Sequence, residues 1–327
     1  MAEYKNIKGS TIQSLDSDPA NPIVGQVWYN STTQTLKGTI AGGAASGTWS
    51  SGGALNLART NVAGCGTQGA GLAFGGQNSG FKNESEEYNG TSWTEGNNLN
   101  TAIAYQGSVG TQTAGLSFGG GSGGGGETDK TEEYNGTSWT EVSTMVAAKT
   151  EMGSFGLQTA AIAAGGAGVP NTLLVDVESY DGTSWTEIAN LNTARYALTG
   201  AGIQTSGIVF GGSVAPKGQT ETWNGIAWTE VAVLNTVRNI AGGAGISNSS
   251  ALAFGGTDAP GQTVNTEQWD GSSWTEVANL ATARGGLGGT GTVNLALGFG
   301  GRTPSSIFTN TEEWTAPEFV TKTFDVS

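Results

Sequence analysis

The phrase Ser-Trp-Thr-Glu, or a close variant, recurs along this chain and places a tryptophan at Trp93, Trp139, Trp185, Trp228 and Trp274, with an eroded copy, Gly-Thr-Trp-Ser, at Trp49. Successive copies lie 44, 46, 46, 43 and 46 residues apart. Self-similarity at such a period marks an array in which each unit is one supersecondary element. Other marks keep the same step. An aromatic stands five residues before each full copy, at Tyr88, Tyr134, Tyr180, Trp223 and Trp269, and a sixth, Trp314, ends the series. Glycine doublets recur at 75–76, 119–120, 165–166, 211–212, 255–256 and 300–301. Leu55, Leu99, Met145, Leu191, Leu234 and Leu280 each follow a tryptophan by six residues.

Each unit reads as four short strands. A small-residue strand such as 61–67 comes first, and a second strand ends in the glycine doublet. A third carries Glu-x-Tyr or Glu-x-Trp, and a fourth carries the tryptophan. Asn-Gly or Asp-Gly separates the last two, the strongest short hairpin signal because those backbones accept positive φ. No segment keeps a 3.6-residue apolar period, so almost no helix is expected. Four-stranded units of this length predict an all-β fold, a six-bladed β-propeller. A unit with roughly three large aromatics buries too little surface to offset the ordering of its own chain, so the units must pack on one another. The unit from Leu280 lacks a fourth strand, and the strand around Trp49 has no unit before it. The segment 47–52 is therefore expected to supply the outer strand of the unit at 280–316 and remove an open edge. These readings divide the chain into an attachment or oligomerisation segment at 1–45, a propeller at 46–316 and a strand or tail at 317–327.

Composition narrows the function. Histidine is absent and cysteine occurs once, at Cys65. Serine and cysteine triads and His-ligated metal or haem are excluded, and one cysteine makes neither an internal disulfide nor a thiolate cage. Net charge is −14 (13 basic against 27 acidic residues), with no basic run. Nucleic acid and anionic membrane surfaces are poor partners for such a chain, and no apolar stretch approaches a bilayer span. The first residues lack the pattern of a secretory signal, so Asn89-Gly-Thr and Asn135-Gly-Thr are read as turns rather than glycosylation acceptors. No cofactor is expected.

The constellation of glycine doublet, aromatic and tryptophan resembles the kelch repeat over residues 47–316. Unit three departs from it, with Ala163-Ala164 where the others place phenylalanine before the doublet. The phrase Tyr-Asn-Gly-Thr-Ser-Trp-Thr-Glu is similar to kelch-type propellers of marine tailed bacteriophages. The stretch from Pro22 to Lys37 is similar to the short β module that heads many phage structural and fibre proteins. The resemblance implies a virion protein of the tail, fibre or particle surface, held to other virion proteins through residues 1–45, forming homo-oligomers, and contacting a host receptor or glycan. A structural or capsid-decoration role without receptor is the alternative. A kelch-type intracellular adaptor is a further one, although no partner domain is visible.

Two repeat positions gather most of the polar chemistry. Glutamate precedes each third-strand aromatic by two residues, at Glu86, Glu132, Glu178, Glu221, Glu267 and Glu312. A basic residue follows the tryptophan by ten at Arg59, Lys149, Arg195, Arg238 and Arg284, with Ile103 as the exception. Buried pairs joining the units are the first reading. A ring of sugar sites is the second, with Arg and Glu gripping hydroxyls beside a tryptophan. Glu95, Glu141, Glu187, Glu230 and Glu276 should face solvent on the outer strand. Asp181 and Asp270 lie in a turn resembling the Asp-box of sialidases, which keeps a glycosidase as a weaker alternative. The candidates recur in several units, whereas a catalytic carboxylate pair breaks symmetry, so no enzyme activity is expected. The glycine run at 119–126 lacks the Lys-Ser/Thr and helix of a phosphate loop. The segments 77–85, 121–131, 167–177, 213–220, 257–266 and 302–311 differ most between units and are expected to share one face, the preferred contact surface. Cys65, among small residues, is expected to be a buried, inert thiol. The tail at 318–327 is expected to form a strand against the N-terminal segment.

Overall fold

The computed structural model describes residues 12–19, 26–41, 46–123, 126–168, 172–213, 217–258, 261–317 and 319–324. All regular structure among them is β. The chain divides into two compact units, 1–48 with 316–327, and 49–315.

The larger unit is propeller-like, and its described residues contain six four-stranded antiparallel sheets of one pattern. Sheet one comprises Ala63–Thr67, Ala70–Phe74, Ser85–Tyr88 and Trp93–Glu95. Sheet two comprises Gly107–Thr111, Ala114–Phe118, Thr131–Tyr134 and Trp139–Glu141. Sheet three comprises Gly153–Leu157, Ala160–Ala164, Val177–Tyr180 and Trp185–Ile188. Sheet four comprises Thr199–Ile203, Ser206–Phe210, Thr220–Trp223 and Trp228–Val231. Sheet five comprises Gly242–Ser247, Ser250–Phe254, Thr266–Trp269 and Trp274–Val277. Sheet six takes Gly285–Gly291, Leu295–Arg302 and Thr311–Thr315 from one part of the chain and Thr48–Ser51 from the other. The Trp49 strand thus lies at the edge where the sequence places it. The backbone extends the pairing, with Gly52 N donating to Thr311 O and Leu55 N to Thr309 O.

Each sheet forms for the same local reasons. The third and fourth strands pair their aromatics directly, as Tyr88 with Trp93 and Trp269 with Trp274. Such cross-strand pairs are the unit of sheet stabilisation. The turn between them is closed by Asn89 N donating to Ser92 O, while Asn89 Oδ1 accepts from Thr91 N and Ser92 N. Gly90 sits there at φ 85°, a conformation that glycine reaches without steric cost. On the inner side of sheets two, five and six the second-strand phenylalanine lies over the paired glycine of the first strand. A Cβ at Gly107, Gly242 or Gly288 would come within 2.2–2.3 Å of the ring of Phe118, Phe254 or Phe299.

Neighbouring sheets meet through the fourth-strand tryptophan, whose ring packs on the preceding sheet. Trp139 meets Phe74, Trp185 meets Phe118, Trp274 meets Phe210 and Trp49 meets Phe254, with ring centroids 4.8–5.0 Å apart. Trp93 of sheet one meets Phe299 of sheet six at 5.0 Å. Sheet three has Ala164 at the phenylalanine position. There Phe155 of the first strand takes the contact with Trp228, at 6.2 Å. The indole N–H of each of these tryptophans also reaches back. Trp93, Trp139, Trp185, Trp274 and Trp49 donate to Thr311, Ser85, Thr131, Thr220 and Thr266, and Trp228 to the carbonyl of Ala189. The first strands also neighbour one another in order, and that of sheet six lies beside that of sheet one.

The smaller unit has one four-stranded sheet. Gln13–Leu15 pairs in parallel with Val27–Asn30, which pairs antiparallel with Thr35–Ala41, and the tail strand Phe319–Phe324 completes it. Trp28 is fully buried. Its Nε1, Asn30 Nδ2 and Lys37 Nζ all donate to Asp18, at 3.1, 2.8 and 2.7 Å. Hydrogen bonds from Lys37, then Asn30 and Trp28, hold the Asp18 carboxyl down from 3.8 to about 2. An acid with a depressed folded pKa contributes stability that is present above its unfolded value and lost as pH falls through the folded one. Hydrogen exchange of residues 26–41 should therefore accelerate as pH drops from 3.8 towards about 2 once intrinsic rates are divided out. Asp18→Asn should remove that dependence, and an identical profile in the variant would refute the assignment. Of the expected attachment segment at 1–45, residues 1–11, 20–25 and 42–45 lie outside the described residues; of the stretch at 22–37, residues 26–37 are described.

Candidate functional site

The eleven repeat-position residues do not meet at one place. They form junctions, one per sheet, on the segment that leads into each first strand. Arg59 Nη2 bonds Glu86 at 2.8 Å, Arg195 bonds Glu221 at 2.9 Å, and Arg284 bonds Glu312 at 3.0 Å. Arg238 bonds Glu267 in the same way. Lys149 Nζ lies 2.8 Å from Glu178, a buried ion pair. Nη1 of each arginine donates to the carbonyl of the first doublet glycine, as Arg59 does to Gly75, and to a carbonyl just before the third strand, as to Glu84. The glutamate's other oxygen accepts backbone and side-chain N–H groups of the lead-in segment, as from Asn56 and Asn192.

Side chains in these five ion pairs are at most 4% exposed. Burial lowers the guanidinium pKa of Arg59, Arg195, Arg238 and Arg284, to about 10 for Arg284, while the partner glutamate acts in the opposite direction. All four stay charged at neutral pH. A sugar could reach these groups only if the pairs opened. In sheet two Ile103 replaces the cation, and Glu132 accepts from Asn100 N, Asn100 Nδ2 and Thr101 N instead.

The junction also binds the sheet before it. The second doublet glycine donates to the carbonyl of the next unit's basic position: Gly76 to Ile103, Gly120 to Lys149, Gly166 to Arg195, Gly212 to Arg238, Gly256 to Arg284 and Gly301 to Arg59. A backbone role explains why isoleucine is tolerated at 103. Two residues further on, Asn61, Tyr105, Glu151, Ala197, Ile240 and Gly286 all have φ between 43° and 63°. Each donates its N–H to the carbonyl of the one before it, and Asn61 donates to Gly286. Non-glycine residues hold such φ only when their surroundings impose it.

Between the first strands lie three cavities. One of about 100 Å³ is lined by the six positive-φ residues, a polar one of about 130 Å³ follows, and one of about 260 Å³ lies at the far end beside Thr67, Thr111, Leu157, Ile203, Ile246 and Thr292. Glu151 is the acid of the first, and burial raises its pKa. Among the described residues no group of three His, Cys, Asp or Glu side chains could hold a metal. Cys65 is buried, and burial pushes its thiol up.

Strands alternate in direction, so each loop after a glycine doublet lies at the end where its first strand begins. Gly121–Ser122 pairs with Ile103–Ala104, and Ala167–Gly168 with Lys149–Thr150. Residues 124–125, 169–171, 214–216 and 259–260 of these loops lie outside the described residues. Nine Lys and Arg belong to residues 49–315. Five are in the junctions; of the other four, Lys82, Lys130 and Lys217 lie on these loops and Arg302 ends the strand that runs into the last of them. Lys130 bonds Glu141 at 2.7 Å with both side chains exposed. The opposite end carries the Asn-Gly and Asp-Gly turns. There Asp181 accepts from Thr183 N and Ser184 N, and Asp270 from Ser272 N and Ser273 N, so both carboxylates serve the turn. Glu95, Glu141, Glu187, Glu230 and Glu276 are exposed.

Two sets of ties were absent from the sequence reading. Gln68, Gln112, Gln158 and Gln204, in the turn after each first strand, donate to carbonyls of the preceding sheet's third strand at Trp314, Tyr88, Tyr134 and Tyr180. Their spacing of 44, 46 and 46 residues was the available signal. Tyr88, Tyr134 and Tyr180 donate to Glu313, Glu87 and Glu133 of the preceding sheet, at 2.5, 2.6 and 3.0 Å. Burial and then the carboxylate push Tyr88 and Tyr180 up to about 12, so both remain donors at neutral pH.

No family model matches the chain, and no curated protein matches it.

Proposed function

We propose that the 49–315 unit is a closed six-bladed kelch-like propeller that binds without catalysis, and that the loops following the glycine doublets are its contact surface. One observation carries this reading: every Lys and Arg of the unit outside the junctions lies on those loops or, as Arg302, at the strand end that opens one. The repeated polar groups hold sheet to sheet, and the loops carry what differs between units. Variable loops on a repetitive scaffold are where binding concentrates. Both backbone series running from unit to unit and returning to the first support the six-fold closure.

We further propose that the protein is carried on a tailed-phage particle, with residues 1–45 as attachment, and that its partner is a host-surface receptor or glycan. The support for this setting is the resemblance of the repeated Tyr-Asn-Gly-Thr-Ser-Trp-Thr-Glu phrase and of residues 22–37. The purified chain should bind a glycan array or compete with phage adsorption. Lys82→Glu, Lys217→Glu and Arg302→Glu together should abolish either signal without lowering the melting temperature. Silence of the unaltered chain in both assays refutes the receptor reading and leaves the particle-decoration role.

A further inference from the structure

The turn between third and fourth strands occurs in five sheets with two chemistries. Sheets one, two and four carry Asn89-Gly90, Asn135-Gly136 and Asn224-Gly225; sheets three and five carry Asp181-Gly182 and Asp270-Gly271. The geometry does not distinguish them. Asn89 Oδ1 accepts the next two N–H groups at 3.0 and 2.9 Å, Asn135 at 2.9 and 2.9 Å, and Asn224 at 3.0 and 2.9 Å. Asp181 and Asp270 accept the equivalent pairs at 2.8 Å. The glycine φ is 85°, 86° and 89° after asparagine, and 90° and 96° after aspartate. The asparagines are exposed.

We propose that Asn89, Asn135 and Asn224 are sites of spontaneous deamidation, and that the turn retains aspartate as the product. The backbone nitrogen of the following glycine attacks the side-chain Cγ and loses its proton. The C–N bond of the amide breaks, ammonia leaves, and a succinimide forms. Water then opens the ring, with no change of oxidation state. Glycine at the next position leaves the attacking nitrogen without side-chain hindrance, and the two N–H groups on Oδ1 polarise the carbon under attack. Opening on one side of the ring gives aspartate, whose carboxylate takes over both N–H bonds, as Asp181 and Asp270 demonstrate. Opening on the other side gives isoaspartate, which routes an extra carbon through the main chain. That product breaks the register of Tyr88 with Trp93, Tyr134 with Trp139, or Trp223 with Trp228.

The conversion has a direction on the molecule. Each event adds one negative charge to the end opposite the cationic loops, and three carry the net charge from −14 to −17 (−14 − 3).

The test incubates the full chain at mildly alkaline pH and follows each asparagine by peptide mass spectrometry, with fragmentation that separates aspartate from isoaspartate. Exposed Asn98, which precedes a leucine, is the internal control. The expected result is conversion at the three turn sites well before Asn98, mainly to aspartate, with the native melting temperature kept. N89D/N135D/N224D should melt with the parent and migrate as its final aged form. Conversion no faster than at Asn98 overturns the site assignment, and isoaspartate as the main product in the native chain overturns the retention of aspartate. A lower melting temperature of the triple variant also overturns that retention.

Discussion

A chain lacking residues 1–52 is expected to melt far below the full-length protein. Without Thr48–Ser51 the strand Thr311–Thr315 loses its outer neighbour and becomes an open edge. The same cut uncovers the rings of Phe254 and Trp314, which Trp49 meets at 4.9 and 5.6 Å, and leaves the Thr266 hydroxyl without its indole donor. Trp49→Ala isolates the side-chain part. Core aromatic truncations cost ~3–5 kcal/mol, and this half-buried tryptophan should fall near the lower figure. Calorimetry of the three proteins checks both steps, and an unchanged melting temperature after truncation would remove the case for ring closure.

The junctions supply the second large effect. Glu221→Leu should destabilise by ~3–5 kcal/mol, because it leaves Arg195 charged and fully buried and also orphans the Asn192 N–H. Arg195→Ile should cost less, ~1–3 kcal/mol, the scale of leaving buried acceptors at Gly211 and Gln219 without a donor. Sheet two already lives with that arrangement, since Glu132 is held by Asn100 and Thr101 opposite Ile103. The double variant should recover much of the loss seen with Glu221→Leu alone. Urea denaturation orders the three, and losses that simply add in the double variant would show that the junction does not work as an ion pair.

These residues also mark how far the fold was legible. The tryptophan period, the Asn-Gly turns and the glycine doublets report strands, because each is a residue type that one backbone conformation or one contact demands. The Trp49 strand was visible only as an eroded phrase without a unit before it. The Arg and Glu positions were visible as a pattern, but not all that they hold: most of their further partners are carbonyls and N–H groups, which carry no residue signature. The positive-φ series was hidden for the same reason. Asn61, Tyr105, Glu151, Ala197, Ile240 and Gly286 share a conformation and no chemistry. Phe155 taking the place vacated at Ala164 is a repacking that a position-by-position comparison of units misses.

The divided origin of sheet six sets a schedule for synthesis. The strand around Trp49 leaves the ribosome early, and its partner at 311–315 follows some 260 residues later (311 − 51). At ~5–20 residues per second the first strand waits for roughly 13–50 s. Five sheets are complete in that interval, while a short strand with one tryptophan stays unmatched on the nascent chain. The last step of folding is then the capture of an early segment by a late one, a long-range event with a slow intrinsic rate. Newly made copies crowded on one message could exchange that strand, so the time to maturity of this protein should depend on how densely it is translated.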